Sequence, residues 1–356
     1  MPDNTLRNSL LAAGMTAAFA TVLAVAGWQC FEFDRALFTY AQALILSLTL
    51  TAYRFSVWTH RPPTRIVYQN AWQMIRSTDD RFGLAKHLLS RTLSYFTWNR
   101  FVWKRGLNRW GAHWPIMLGC AMALAIVVPL IFGWVWFETP PNDFGSYKVM
   151  NFGIHLTTIP VDGLEAFLAF HGLVWASVPV IIGCTIALRR RFRDRGDQAV
   201  QSMGNDILPL IILLSIAVTG LLMTISYSFA GGALHTPLAN VHMFIVCGTL
   251  LWLPFSKLFH IPQRTLKLAH MVYEFESQRN GQAECERCHD RFADLQQVTD
   301  LIALQKQLDY SYEMANEAGH YQSICPACRR ALLVLAQGER WKNVTRSRVM
   351  TESHGT

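Results

Sequence analysis

The chain has 356 residues, of which 51% are hydrophobic and only 16% charged, against about 25% charged in soluble domains. Mean hydropathy is +0.19 despite a net charge of +8. These figures exclude a disordered chain, a small disulfide scaffold and an ordinary soluble enzyme; long uncharged runs between short basic stretches describe a multi-span membrane protein. The pI near 9.2 does not point to nucleic acid, because the Lys and Arg residues cluster between apolar runs, as they do in cytoplasmic loops.

A membrane helix needs about 20 apolar residues. The first such run is roughly Leu10–Trp28, which lacks the basic leader and small-residue cleavage site of a signal peptide. Ala36–Tyr53, Trp110–Phe137 and Ala166–Leu188 are the second, third and fourth. Ile207–Ser256 is uncharged over 50 residues, too long for one helix. It breaks at Ala230-Gly-Gly-Ala-Leu-His-Thr-Pro237, a turn signal, giving spans five and six. Within the soluble tail, Thr265–Ser277 and Phe292–Tyr312 read as helices.

Charge orients the spans. The loop Arg54–Arg109 holds eleven Lys/Arg against two acids, and Arg189–Asp206 opens with Arg189, Arg190, Arg191, Arg193 and Arg195. The connection Glu138–Glu165 has four acids and one lysine. The positive-inside rule puts both termini in the cytoplasm of a bacterial-type inner membrane. The expected fold is all-α: a six-helix transmembrane bundle with a cytoplasmic C-terminal metal-binding domain built on four cysteines.

Ionisable residues inside spans are costly and mark function. His242 and His260 lie 18 residues apart at the two ends of span six, five turns of an unbroken helix and roughly 27 Å. One imidazole would face the same way near each membrane surface. Haem iron takes an axial imidazole from each side. His171 in span four matches the depth of His242, and His113 at the start of span three matches His260. The expected haem ligands are therefore His171/His242 outside and His113/His260 inside. His155 and His235 are alternative outer ligands. Spacing alone leaves proton relay and metal transport open.

The stretch His242-Met-Phe-Ile-Val-Cys-Gly-Thr-Leu-Leu-Trp-Leu-Pro-Phe-Ser-Lys-Leu-Phe-His-Ile261 resembles the last span of the respiratory nitrate reductase gamma family. Leu188-Arg-Arg-Arg-Phe192, Asn205-Asp-Ile-Leu208 and Thr219-Gly-Leu-Leu222 are similar to that family's loop and preceding span. Related membrane subunits of heterodisulfide reductases share the plan. The resemblance covers roughly residues 36–263, leaving 1–35 as an extra N-terminal helix and 264–356 as a separate tail. It implies a cytochrome b carrying one or two b haems. Such a subunit passes electrons between membrane quinone or quinol and a cytoplasmic iron–sulfur partner, and is one part of an oxidoreductase rather than a complete enzyme. The family's third-span equivalent carries two histidines; here there is His113 alone, with an apolar residue near Ile126, so the outer haem borrows His171. Asp162 and Glu165 stand where the family places a quinol-site lysine, and with His155 they are the quinone-site candidates.

Of eight cysteines, Cys30, Cys120, Cys184 and Cys247 lie in or beside spans and read as small buried hydrophobes. The other four form Cys285-Glu-Arg-Cys288 and Cys325-Pro-Ala-Cys328, with 36 residues between the pairs. Four thiolates close a tetrahedral zinc site, or hold an iron–sulfur cluster. Cys285-Glu-Arg-Cys-His289 also matches covalent c-type haem attachment, which a cytoplasmic tail opposes. The competing expectation is a haem-free transporter, sensor or assembly scaffold with a zinc-binding tail.

Overall fold

The computed structural model describes residues 2–27, 35–310, 312–314 and 319–353. Trp28 and Cys30 lie outside the described residues. In chain order the longer elements are α1 (Pro2–Gly27), α2 (Arg35–Thr59), α3 (Pro62–Ser77), α4 (Arg81–Thr92), α5 (Leu107–Ile131), β1 (Val135–Glu138), β2 (Ser146–Asn151), β3 (Ile154–Pro160), α6 (Gly172–Arg193), α7 (Leu208–Phe229), α8 (His235–Trp252), α9 (Leu266–Asn280), β4 (Gln282–Glu284), β5 (Arg291–Asp294), α10 (Leu295–Gln307) and α11 (Pro326–Ser353). The chain is 76% helical, so the helical expectation holds in bulk, but strict all-α does not: two small antiparallel sheets are present.

Among the described residues, six helices are long and apolar enough to cross a membrane: Asn4–Gly27, Ala36–Thr59, Leu107–Ile131, Gly172–Arg193, Met203–Phe229 and His235–Phe255. The protein is a multi-pass membrane protein. The turn between spans five and six falls where expected. α7 ends at Phe229, and Gly231 (φ +58°) and Gly232 (φ +80°) take left-handed conformations before α8.

The chain divides into two units. The first comprises residues 1–58 and 93–263. Only 11–28% of the residues in each span's most apolar stretch are buried, as expected of helices that face lipid. α5 and α6 approach through small residues. A Cβ on Gly119 would stand 2.5 Å from the Ala176 carbonyl oxygen, and one on Gly183 would stand 2.6 Å from that of Ala112. Close backbone approach of this kind is how helices pack without a hydrophobic drive in lipid. The third span is shorter than the uncharged run: α5 stops at Ile131, and after a left-handed Gly133 the chain enters β1. The sheet β1-β2-β3 is a meander. Phe152 and Gly153, both at positive φ, turn β2 into β3, the geometry of a two-residue hairpin.

The second unit comprises residues 59–92 and 264–356. α3 carries Val67, Tyr68, Ala71, Met74 and Ile75 on one helical stripe. That stripe, with Leu84 and Leu88 of α4, closes over Ala269, Val272, Tyr273 and Phe275 of α9. The Tyr273 hydroxyl donates to Asp300 Oδ2 (2.7 Å), and Asn70 Nδ2 reaches the same oxygen (2.8 Å). Residues 59–92 of the basic loop after span two and the tail after span six thus form one body. An even number of spans between them puts both on the same side of a membrane, as this packing requires.

Candidate metal centre and membrane histidines

The second unit carries the best-defined site. Cys285 and Cys288 sit on the turn between β4 and β5; Cys325 and Cys328 sit at the start of α11. Their four Sγ atoms all lie within 4.8 Å of one another, and Cys288 Sγ is 3.7 Å from Cys325 Sγ. A tetrahedron with ~2.3 Å metal–sulfur bonds has an edge of ~3.8 Å, so the spacing suits four thiolates around one ion.

The local backbone explains the convergence. His289 takes a left-handed conformation (φ +60°) and its N–H donates to the Cys285 carbonyl (2.9 Å), curling the first pair into a knuckle. The Cys325 N–H donates to Cys285 Sγ (3.2 Å) and the Cys328 N–H to Cys325 Sγ (3.4 Å). Such bonds favour the thiolate form. Cys285 and Cys325 are buried with Ile324, and Phe292, Met314 and Leu332 pack around them. Burial raises the Cys285 thiol, but N–H donors from Cys325, Cys288 and Arg287 outweigh it and bring the group down to about 6. Cys288 and Cys328, crowded by the neighbouring thiols, are pushed up instead, so the four give up their protons together only as a metal cation binds.

The histidines are placed one by one. His242 lies within α8, its Nδ1 2.8 Å from Thr219 Oγ1 on α7, and its ring lies over Gly220, where a Cβ would be 3.5 Å from Cε1. The Thr219 hydroxyl donates to the Ser215 carbonyl (2.7 Å). The Ile216 carbonyl is also in reach (3.2 Å); with the hydroxyl proton on either carbonyl, the Nδ1–H tautomer of His242 completes the contact and leaves the lone pair on Nε2. His260 Nδ1 donates to the Lys257 carbonyl (2.7 Å) and His171 Nδ1 to the Phe167 carbonyl (2.9 Å). These rings too direct the lone pair to Nε2, the arrangement in which ligating imidazoles are usually held. His113 on α5 meets the Phe101 ring edge-on at 6.4 Å.

Two geometric premises change. His242 and His260 do not share one helix: α8 ends at Trp252, two 3₁₀ turns follow, and Ser256 between them is extended (φ −93°, ψ 179°). Pro254 lies at this break, because its ring removes an N–H and clashes with the preceding turn. Five uninterrupted turns, and hence a shared face, are therefore not available. His171 stands at the junction between the short helix Leu164–Phe170 and α6, at the mouth of span four. His242 is seven residues into α8, so counted from the start of its own helix each histidine stands at a different place, by about 10 Å of helical rise.

His155 lies on β3, with Nε2 3.0 Å from Thr158 Oγ1, and Glu165 in the first turn of the short helix. Asp162 lies in the turn between them, and all three are exposed. Cys184 is fully buried between spans, whereas Cys120 and Cys247 are partly exposed. Among the described residues, the four cysteines are the one group of metal-ligating side chains that converges.

Sequence reasoning missed the union of residues 59–92 with the tail. The signal was there: apolar positions 67, 68, 71, 74 and 75 follow helical periodicity inside a loop read only for charge.

Comparison with protein-family models, with curated proteins and with solved structures finds no match for this chain.

Proposed function

We propose that this protein is a membrane cytochrome b subunit of a quinone-linked oxidoreductase, with a zinc-folded domain that docks its redox partner on the cytoplasmic side. The observation that carries the reading is His242, an imidazole inside a span whose Nδ1 is in hydrogen-bond contact with a threonine that also reaches the Ser215 carbonyl, so that the Nδ1–H tautomer would leave Nε2 as an acceptor. Burying an ionisable ring in this way is costly unless it is used. His260, His171 and His113 are the further ligand candidates. An imidazole so held suits a haem iron, which would supply one-electron chemistry when bound. The chain's own part is to hold the rings in the ligating tautomer. His155, Asp162 and Glu165 lie in one extramembrane segment, where they accept the protons that quinol oxidation releases. The close spacing of the four cysteines favours a single ion over a multi-iron cluster, whose thiolates point outward from different irons. Zinc is the ion proposed.

A dithionite-reduced spectrum of the purified protein tests this: a b-type α band is expected, and H242A should lower the pyridine haemochrome content. A colourless preparation overturns it. A second reading, a haem-free sensor or scaffold with the same zinc domain, is favoured by the break between His242 and His260. It predicts stoichiometric zinc and no iron.

A further inference from the structure

We propose that Leu93–Trp114, the segment leading into the third span, binds the headgroup of an anionic phospholipid. The inference is independent of haem.

The segment is built rather than draped. A π-helical turn covers Leu93–Thr97 and a helical turn Arg100–Trp103; Gly106, at φ +127°, then swings the chain into α5. Between the turns, Asn99 is left-handed (φ +49°) and 1% exposed, and its side-chain amide donates to Met117 Sδ on α5 (2.8 Å). Asn is among the few residues that adopt this conformation readily. The approach is therefore pinned to the span it precedes.

Four indoles form a raft on this frame. Trp110 Nε1–H donates to the Trp98 carbonyl (2.7 Å) and Trp114 Nε1–H to the Thr97 carbonyl (3.0 Å). Trp98 stacks on Trp114 at 6.2 Å, Trp110 on Trp114 at 5.6 Å, and Trp103 meets Trp110 edge-on at 4.9 Å. Trp98 and Trp103 remain more than half exposed. Flat amphipathic rings at a helix end settle at the boundary between headgroups and acyl chains.

Interleaved with the indoles in the sequence are Arg100, Lys104, Arg105 and Arg109, all exposed. The chain has no Asp or Glu between Asp80 and Glu138. Among the described residues, Arg100, Lys104 and Arg105 make no ion pair. A phosphate diester matches this surface: guanidinium forks and an ammonium for its oxygens, indole faces for the glycerol region below. A zwitterionic headgroup brings its own ammonium into the same field and is repelled by it. The occupant is thus a lipid of net negative charge.

The test is a lipid titration of the full-length protein in mild detergent, followed by native mass spectrometry, with phosphatidylglycerol against phosphatidylcholine. The wild type should retain phosphatidylglycerol preferentially. Each basic residue near an anionic surface contributes about fivefold. K104Q/R105Q/R109Q should therefore lose about 100-fold of the preference at low salt, while R81Q/K86Q, basic positions of the second unit, should keep it. An undiminished preference in the triple variant overturns the proposal, as does displacement of the lipid by inorganic phosphate at matched concentration, which would define a free-anion site. If the triple variant does not fold, the wild type decides alone. Its preference should fall steeply as salt is raised; a preference indifferent to salt rejects the charged headgroup.

Discussion

The two units solve the same problem in opposite media. In the membrane unit few span residues are fully buried, in small clusters such as Val180, Cys184 and Ala217, and α5 and α6 meet through the glycines Gly119 and Gly183, leaving lipid to cover much of the rest. In the second unit, α3, α4 and α9 bury Tyr273, Met271 and Val272 almost completely, and a knuckle of four cysteines closes the remainder. Hydropathy therefore reports the first unit directly, because each span answers to the bilayer one at a time. It is silent on the second, where α3 and α9 answer to each other although spans three to six separate them in the chain.

The largest separation of the two units should come from the metal. Structural zinc contributes ~10–16 kcal/mol of binding free energy to small domains that fold around it. Cys285→Ser, or prolonged chelation, should abolish stoichiometric metal by elemental analysis and open residues 282–328 to protease. The span helices should keep their helical circular dichroism. Loss of the spans together with the metal would show that the units are not separable in stability.

Next comes packing. Met271 is 1% exposed, within the second unit. Truncating a buried methionine costs ~2–5 kcal/mol through lost transfer energy and the cavity left behind. Met271→Ala should therefore expose α3 and α9 to limited proteolysis at a lower temperature than the wild type, with membrane insertion unchanged. A substitution of similar size on a lipid-facing position, Phe244→Ala (Phe244 is 79% exposed), should move neither.

On the membrane side the sharpest probe is Thr219. Removing the outer-shell partner of a ligating imidazole typically costs about 10–100-fold in affinity. Thr219→Val should lower haem retention within that range while His242 itself stays in place, and Thr219→Ser should rescue it. No change on Thr219→Val would mean that the threonine merely packs against α8.

How far the sequence carried the fold follows from the same contrast. Uncharged length located all six spans, since a bilayer tolerates little else. It overran at the third, because Phe132–Phe137 is as apolar as a helix interior yet turns into β1. The meander was hidden by its reading as an acidic loop, although Tyr147, Val149 and Asn151 on β2 lie on one face in alternation. The four-cysteine site was legible because ligand spacing survives any fold between the pairs. The membrane histidines were legible as residues but not as geometry. The break at Pro254 undoes the shared face that one straight helix would have given His242 and His260.

The smallest predicted effect is electrostatic and bears on the second unit alone. Asp294 caps α10, its Oδ1 accepting from the Gln297 N–H (2.9 Å). Burial pushes its carboxyl above the ordinary range, N–H donors oppose the shift, and nearby Asp300 and Glu276 add to it. A carboxyl raised on folding is held charged at neutral pH at a cost, and that cost disappears as pH falls and both states become protonated. Asn caps a helix about as well as Asp and carries no charge. Asp294→Asn should therefore be neutral to slightly stabilising at pH 7. The gap should close as pH falls through the folded-state value toward the ordinary range near 4, as read by the protease-opening temperature of the second unit. A destabilised Asp294→Asn at pH 7 would show that the charge, interacting with the N-terminal dipole of α10, outweighs its own burial.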